Sequence, residues 1–258
     1  MRIHRLTTGR VRGPRRSHGA SRYLLPRWSA ETLPVHCFLV EHPAGLCLVD
    51  TGQSLAATFP GYLPRWHPFL RIARFELVPE DALTAQLARA GHAAEELRWI
   101  VLTHLHTDHV GGLAEVAGAA DVVVSATEWA LARGFLGALR GYVPKQLLPT
   151  VESRRVELTG PARGPFASSL DLVEDGSLTL VPLPGHTPGQ IGVLVTTGDG
   201  GALIGGDVAH DPSELRRVAP DVAAYCDAQG IVPLLAHDDA LPAALEVPDG
   251  AATSGDRR

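Results

Sequence analysis

The sequence predicts an α/β protein in which helices cover β-sheets. Short apolar runs of strand length alternate along the chain with segments of helical pattern, and this alternation is typical of that class. The 258 residues are enough for one large domain or two small ones with a sizeable core. The predicted strands cover residues 37–40, 46–49, 99–103, 122–125, 178–181, 191–196, 202–204 and 231–235.

The first two strands are predicted to form a hairpin. The segment His-Pro-Ala-Gly between them supplies the turn. In that register Cys47 faces Val40 and Cys37 faces Asp50, so the two sulfur atoms do not meet. The chain has one more cysteine, Cys226, and the expectation is three reduced thiols in a cytoplasmic protein.

Three segments carry helical signals. Pro-Glu-Asp at 79–81 is predicted to begin a helix that ends at Gly91. Residues 126–140 also have a helical pattern. A third helix is predicted over residues 220–229, because the segment begins with proline and Gly230 follows it.

Composition argues against two classes of function. The net charge is −5, which does not suit a general nucleic-acid-binding surface. The longest apolar runs are far shorter than the roughly 20 residues of a membrane helix, so no membrane span is expected. Six arginines by residue 16, with no apolar core after them, predict a solvated basic arm or a first strand rather than a secretory signal. Residues 248–258 are small and polar and are predicted to be a disordered tail.

Two long irregular segments, residues 52–79 and 134–149, interrupt this pattern. Segments longer than about 12–15 residues are uncommon unless they are lids, binding loops or disordered. Packing over the core would explain their apolar side chains equally well. The first segment contains the aromatic residues Phe59, Tyr62, Trp66 and Phe69.

One short segment carries the strongest chemical signal. A predicted strand ends at Thr103, and four side chains of metal-binding type follow within six residues. Imidazole and carboxylate groups suit zinc and related divalent ions. Two of the histidines are two residues apart and can point the same way, whereas the next Asp-His pair falls where the chain turns into a helix and can serve a second ion. The four side chains are His104, His106, Asp108 and His109.

Three later predicted strands are followed by the same kind of residue. His186 lies in a Pro-Gly-His-Thr-Pro-Gly turn after one strand, and Asp207 and His237 each follow another. Such strand ends collect on one edge of a sheet, where their side chains can converge. The seven side chains together are enough for two metal ions and too many for one.

The run His-x-His-x-Asp-His, with Gly-His-Thr-Pro-Gly and a later Asp and His, resembles the metallo-β-lactamase superfamily over about residues 39–237. The resemblance implies one hydrolase domain over residues 1–247. It implies a four-layer αββα sandwich with two divalent metal ions, expected to be Zn²⁺, at one edge of its paired sheets. The implied ligands are His104, His106 and His186 for the first metal, Asp108, His109 and His237 for the second, and Asp207 bridging both.

Asp50 also belongs to this resemblance. It lies in the segment Leu-Val-Asp-Thr-Gly, where the family has an aspartate that supports the site without binding metal. A turn-forming Asp-Thr-Gly explains Asp50 equally well.

The family's chemistry is hydrolysis, in which a hydroxide held between two metal ions attacks a carbonyl. The chain is most similar to the N-acyl-homoserine lactonases, which implies that it opens a lactone and acts in quorum quenching. Asp108 would orient or shuttle a proton, and the 52–79 segment would be an apolar wall for a small acyl substrate. His210 stands where those lactonases have a substrate-contacting tyrosine, so it is the second candidate catalytic residue. A homodimer is a candidate assembly.

Three alternatives stay open. A thioesterase similar to hydroxyacylglutathione hydrolase keeps all seven ligands but uses a cationic C-terminal region, where this chain offers only Arg216 and Arg217 before the tail. A metal-binding module could keep the fold without catalysis. A mononuclear iron dioxygenase is the third, because a set of ligands alone does not fix the metal.

Overall fold

The computed structural model describes residues 1–13, 29–63, 65, 67, 73–118, 120–143, 153–197 and 200–247. Trp66, Phe69, the predicted tail 248–258 and part of the 134–149 segment lie outside the described residues. The strands are β1 Arg2–Arg12, β2 Leu33–His42, β3 Gly45–Val49, β4 Arg74–Glu76, β5 Leu97–Leu102, β6 Asp121–Ser125, β7 Ser153–Val156, β8 Leu170–Asp171, β9 Leu178–Pro182, β10 Ile191–Thr197, β11 Gly200–Gly206, β12 Ile231–Leu235 and β13 Ala244–Glu246.

The helices are short and lie between the strands. The α-helices are α1 Leu83–Arg89, α2 Thr107–Val110, α3 Leu113–Val116, α4 Ala126–Arg133, α5 Pro212–Val218 and α6 Pro220–Gln229. Single 3₁₀ turns cover Leu55–Thr58, Pro79–Asp81, Ala94–Glu96 and Ala138–Arg140. No helix among the described residues is long and apolar enough to cross a lipid bilayer.

The strands form two sheets. The first has the order β13-β1-β2-β3-β5-β6-β7, with β4 also paired to β1, and the second has the order β12-β11-β10-β9-β8. Strands β3, β5, β6 and β7 are parallel, as are β11 and β12, so within each group the carboxyl ends lie at the same edge. That edge is where the predicted metal ligands follow the strands.

Three apolar clusters define four layers. Side chains of both sheets, such as Phe38, Val101 and Val193, form a buried cluster between the sheets. Leu39 and Ile100 point the other way and pack under α1, whose Leu87 is fully buried. A third cluster packs β10 and β11 against α5 and α6. Since central strands are covered on both faces, most of their residues are apolar, as in buried parallel sheets. The predicted four-layer αββα sandwich is confirmed.

Most of the predicted elements are present. All eight predicted strands exist, most of them one to four residues longer than predicted, although the strand at 99–103 spans Leu97–Leu102. In the predicted hairpin Val40 pairs with Cys47, and all three cysteines are free and buried. The helix Pro220–Gln229 ends at Gly230, which has a φ of 63° and is in the left-handed region. Burial raises the pKa of the Cys47 thiol to about 12, so this group is an inert apolar side chain at neutral pH.

Two predicted helices begin or end elsewhere. The segment at 79–81 is a separate 3₁₀ turn, because Ala82 has an extended ψ of 137° that interrupts the helix before Leu83. The helix predicted over 126–140 ends at Arg133, because Gly134 is extended, with a ψ of 161°. Both predictions were wrong at these boundaries, where a single backbone conformation decides the outcome.

The described part of the arginine-rich start is a strand, whereas Arg15 and Arg16 lie outside the described residues. Within β1, Ile3 faces the core between the sheets, whereas Leu6 faces α1. The strand contains the other four arginines, of which Arg10 and Arg12 pair with Asp239 and Glu76. The helix α5 and the short strands β4, β7, β8 and β13, of two to four residues each, were not predicted.

Backbone hydrogen bonds join the two sheets at the ligand-bearing edge. The amide of Ile191, at the start of β10, donates to the carbonyl of Thr103, which follows β5, at 2.9 Å. The amide of His36 in β2 donates to the carbonyl of Ala236, which follows β12, also at 2.9 Å. These two bonds hold the ends of strands from opposite sheets at a fixed separation.

Candidate metal centre

Four strand ends place the predicted metal-binding residues at one edge of the sandwich. The chain after β5 carries His104 and His106 and then enters α2, while His186 lies between β9 and β10. Asp207 directly follows β11, and His237 comes shortly after the end of β12. All seven predicted ligands come together in three groups in which donor atoms lie within 4.8 Å of one another: His104, His106 and His186; His104, His109 and Asp207; and Asp108, His109 and His237.

The three histidines His104, His106 and His186 form the first half of this centre. His106 Nδ1 lies 3.2 Å from His104 Nε2 and 2.9 Å from His186 Nε2. The other ring nitrogen of His106, Nε2, is 2.9 Å from the carbonyl oxygen of Arg140. A carbonyl can only accept, so Nε2 carries the proton and Nδ1 presents a lone pair to the other two rings.

Asp108, His109 and His237 form the second half. His109 donates from Nδ1 to Asp50 Oδ2 at 2.7 Å, and His237 donates from Nδ1 to the carbonyl of Pro34 at 2.6 Å. Each ring therefore turns its Nε2 atom toward the centre. Such a bond on the far nitrogen fixes the ring and its tautomer in metal-binding histidines.

Asp207 lies between the halves. Its Oδ1 is 3.1 Å from His109 Nε2, and its Oδ2 is 3.3 Å from His237 Nε2 and 3.5 Å from His186 Nε2. The rings of His104 and His109 are 4.0 Å apart between centroids, so the halves adjoin directly. One carboxylate thus contacts ligands of both halves.

The donor set fits divalent metal ions. His109 Nε2 and Asp207 Oδ1 are buried, yet neither has a hydrogen-bond partner of good geometry among the described residues. Buried polar atoms are almost always hydrogen-bonded, so an unpaired nitrogen and oxygen that face each other need another partner. A cation satisfies lone pairs on both atoms, and imidazole with carboxylate is the ligand chemistry of zinc.

A comparison with protein families decides what this centre belongs to. The family model described as the metallo-beta-lactamase superfamily matches residues 30–244 of the chain. The chain belongs to this superfamily. That span includes Asp50 and all seven predicted ligands.

The chain is similar to curated proteins of this superfamily. It is 34% identical over 182 residues to a probable metallo-hydrolase of Mycobacterium tuberculosis, which covers 68% of the chain and 56% of that protein. It is 27% identical over 176 residues to an N-acyl homoserine lactonase of Bacillus cereus, which covers 67% of the chain and 62% of the lactonase. The chain thus spans a little over half the length of these relatives.

The solved structures agree on the metallo-β-lactamase fold. An N-acyl homoserine lactone hydrolase, solved with N-hexanoyl-L-homoserine at its catalytic metal centre, superposes with a TM-score of 0.67. The identity is 22%, and the match covers 92% of this chain and 93% of that one.

The two halves of this metallo-β-lactamase-type centre differ in electrostatics. Burial lowers the pKa of His104 well below its usual value, and the neighbouring rings of His109 and His106 lower it further. Burial and then the ring of His186 lower the pKa of His106 to about 4. Both rings are therefore neutral at pH 7, the state that binds metals.

Carboxylates reverse this effect in the second half. Burial would lower the pKa of His237, but Asp207 and then Asp108 raise it to about 9. Burial likewise opposes the effect of Asp207 and Asp50 on His109, yet its pKa is raised well above the usual value. The two histidines of this half therefore favour their protonated form, because the neighbouring carboxylates stabilise its positive charge.

Asp50 supports the second half without facing the first. Its carboxylate accepts from the amide of Thr103 at 2.7 Å, from the Thr103 hydroxyl at 2.8 Å and from His109. Asp50 has a φ of 61°, a left-handed conformation that few residues other than glycine, asparagine and aspartate adopt. It therefore both makes the turn after β3 and holds His109.

Glu128 is a buried residue of the centre that sequence reasoning missed. It lies in the first turn of α4 and is fully buried. Its carboxylate accepts from the amide of Leu105 at 3.1 Å and from the hydroxyl of Thr187 at 2.8 Å. Leu105 lies between two ligands and Thr187 next to a third, so Glu128 joins the segments that carry the first half.

Gly189 allows that contact. A Cβ at this position would lie 2.3 Å from the backbone nitrogen of Glu128, so only glycine lets the loop after His186 approach α4.

The sequence does carry a signal at Glu128, since Ser125 and Glu128 have the Ser-x-x-Glu spacing of a helix capping box. That pattern predicts the start of a helix, not a buried carboxylate that links two loops.

The predicted substrate contacts lie outside the ligand groups. His210 is half exposed; its Nδ1 is 2.7 Å from Glu214 Oε2, and its ring centroid is 5.7 Å from that of His237. Phe59 is largely exposed, whereas the Tyr62 hydroxyl donates to Gln53 Oε1 at 3.1 Å. Both aromatic residues line an open depression of about 810 Å³.

Proposed function

We propose that the protein is a dimetal hydrolase that opens lactones, with N-acyl-homoserine lactones as its substrates. The observation that carries this proposal is the pair of adjoining groups that share Asp207 and whose ring nitrogens and carboxylate oxygens face inward, with His109 Nε2 and Asp207 Oδ1 buried and unpaired. The superfamily and the relatives named as N-acyl homoserine lactonases support the reaction class.

The seven side chains have distinct places in the proposed site. His104, His106 and His186 would hold one ion, Asp108, His109 and His237 would hold the other, and Asp207 would contact both. When bound, two Zn²⁺ ions supply Lewis acidity and lower the pKa of a water molecule to about 7. The partial exposure of His186, whose side chain is 37% accessible, leaves this side of the centre open to a substrate.

The chain's own residues would then bind and orient the lactone. Asp108 is buried beside the second half, with Oδ2 3.8 Å from His237 Nε2, and its carboxylate can hold a proton for the alcohol oxygen that leaves when the ring opens. His210 donates its Nδ1 proton to Glu214, which fixes the ring and keeps Nε2 for a substrate contact. The depression beside Phe59 and Tyr62 is a candidate site for the acyl chain.

The thioesterase alternative finds no support in the charged groups near the C-terminal region. Arg216 pairs with Asp227 at 3.3 Å, and Arg217 pairs with Glu214. These two arginines are therefore already neutralised by carboxylates and offer little to an anionic thiol such as glutathione. Free cysteines suit a reducing compartment, so we keep the cytoplasm as the proposed location.

The first experiment is the hydrolysis of a medium-chain N-acyl-homoserine lactone by zinc-loaded protein, with Asp207→Ala as the blank. Ring opening by the parent protein and not by the variant is the expected result. No opening by fully loaded protein would overturn the lactonase proposal. Turnover of a thioester under the same conditions would then assign the centre to thioester hydrolysis, and full loading with no turnover of either would identify a non-catalytic module.

A further inference from the structure

We propose that the protein has a third metal site, far from the candidate centre, that binds a divalent transition-metal ion such as Zn²⁺. The site consists of His4, Glu41 and His92, named here the far-edge cluster. Their donor atoms lie within 4.8 Å of one another, as in the ligand groups of the centre.

Three separate elements build the far-edge cluster. His4 in β1 and Glu41 in β2 are diagonal neighbours on paired strands, since His4 pairs with Leu39 and Glu41 with Arg2. His92 follows α1 and reaches the same point from the helical layer. His4 Nε2 is 2.7 Å and His92 Nε2 is 2.9 Å from the same oxygen, Glu41 Oε1.

The cluster lies at the opposite edge of the sheet from the candidate centre. Strand β2 begins beside the centre, where the Pro34 carbonyl accepts from His237, and it runs away from there to Glu41. Seven residue steps at about 3.3 Å each place Glu41 roughly 23 Å from Pro34. A metal bound here is too far away to act in the proposed hydrolysis, and its role is to join elements of the fold.

The chemistry of the cluster is that of a metal site. Two imidazole nitrogens and one carboxylate, with room for water, make up the ligand set of many zinc sites. The side chains are 11% (His4), 20% (His92) and 34% (Glu41) accessible, so an ion could enter and keep a water ligand. A carboxylate behind one ligand completes the pattern, because Glu96 Oε2 is 3.6 Å from His92 Nδ1 and can orient that ring.

The same three side chains can be joined by hydrogen bonds alone or by a metal ion, and the two ring nitrogens have different roles in these states. Without metal, both Nε2 atoms must carry protons and donate to the same carboxylate oxygen. With metal, each Nε2 offers its lone pair to the ion, and the proton that it carried is lost to solvent or replaced by one on Nδ1 of the same ring. The two states therefore differ in the number of metal ions bound per chain, which can be counted directly.

The test is metal counting by mass spectrometry on protein loaded with excess Zn²⁺ and then desalted. Parent protein and the Glu41→Gln and His92→Ala variants are compared, with Glu95→Gln as the matched control, because Glu95 is an exposed residue of the turn Ala94–Glu96 and is not part of the cluster. Each of the first two variants is expected to bind one ion fewer per chain than the parent, and Glu95→Gln the same number. Glu41→Gln keeps an oxygen for both histidines, so its fold survives if His92→Ala does not fold.

Equal metal content in the parent, Glu41→Gln and His92→Ala proteins would overturn the proposal. The comparison is a difference of one ion, so it does not depend on how many ions the candidate centre holds or on whether the protein opens lactones. A second readout is thermal unfolding at rising Zn²⁺ in an Asp207→Ala background. There the midpoint is expected to rise with Zn²⁺ and to rise less when Glu41→Gln is added, because binding to the native state raises stability and the remaining ligands of the candidate centre are the same in both proteins.

Discussion

The two halves of the candidate metal centre are built in different ways. In the first half all predicted ligands are imidazoles, and His186 is partly exposed. In the second half all three predicted ligands are buried, and Asp50 and the Pro34 carbonyl hold the rings of His109 and His237 at their far nitrogens. The first half instead depends on Glu128, which joins the segments that carry it.

Charge separates the halves as well. His104 and His106 in the first half have lowered pKa values, because burial and the neighbouring histidines disfavour their charged forms. In the second half Asp207 raises the pKa of both histidines, with Asp50 adding to this effect at His109 and Asp108 at His237. Without metal, the second half therefore contains ion pairs, and a cation must displace protons there. His104 and His106 are neutral predicted ligands that need no proton release.

Replacing Asp207 should have the largest effect, because it is the one carboxylate that contacts both halves. We expect Asp207→Ala to lose two-metal binding and to reduce lactone hydrolysis to the level of the uncatalysed reaction. Metal content after dialysis and the rate of ring opening measure the two effects. Unchanged metal content would show that the halves bind their ions independently of this carboxylate.

Asp50→Asn should affect the second half more than the first. Asp50 contacts His109 directly but reaches His104 only through the Thr103 hydroxyl, which lies 3.2 Å from His104 Nδ1. Asparagine tolerates the left-handed conformation of this residue but lacks the negative charge that holds His109 and Thr103. Loss of such a supporting group typically weakens metal affinity about 10–100-fold. Titration with a competing chelator should show one ion weakened more than the other, and equal weakening of both ions would contradict the division into halves.

Glu128→Gln should affect the first half and the stability of the fold. The amide that replaces one carboxylate oxygen cannot accept from Leu105 and Thr187 at once, so one buried donor stays unpaired. We expect a loss of about 1–3 kcal/mol in the free energy of unfolding. Chemical denaturation of the metal-free protein measures it. Glu115→Gln, on the neighbouring helix α3, is the control and should change stability by much less.

His210→Phe should have the smallest effect on metal and a clearer one on turnover. The ring lies near His237 but contacts Glu214 rather than the ligand groups. Metal content should therefore match that of the parent, while the rate of lactone opening falls because a substrate contact is lost. A parent-like rate would make His210 an ordinary loop residue.

Sequence was informative where polar residues interrupt an apolar pattern. His104, Asp207 and His237 stand out because each follows a buried strand, and the sheet then brings them together. Glu128 could not be found in this way, because its spacing from Ser125 is that of a common helix cap and its partners are distant in sequence. The far-edge cluster had no signal either, since His4 and Glu41 become neighbours only through the register of β1 and β2.

The strands and helices likewise divide into those with a clear sequence pattern and those without one. Central strands were predicted because they are apolar on both faces, whereas β4, β7, β8 and β13 are short strands without a readable pattern. The first strand was ambiguous because its arginines interrupt the apolar pattern. Ile3 and Leu6 pack on opposite faces of the sheet, and this becomes clear only when the layers that cover both faces are known. Helix boundaries at Ala82 and Gly134 depended on single torsion angles.

The hydrogen bonds from Ile191 to Thr103 and from His36 to Ala236 have a consequence for the motions of the sandwich. They join the two sheets at the ligand-bearing edge, so this edge is the axis about which the sheets can separate. Opening that breaks few bonds starts at the far edge, so the amide protons of Ile191 and His36 should exchange with solvent late, close to global unfolding. The sheets can thus breathe at one edge while the distances between metal ligands at the other stay constant.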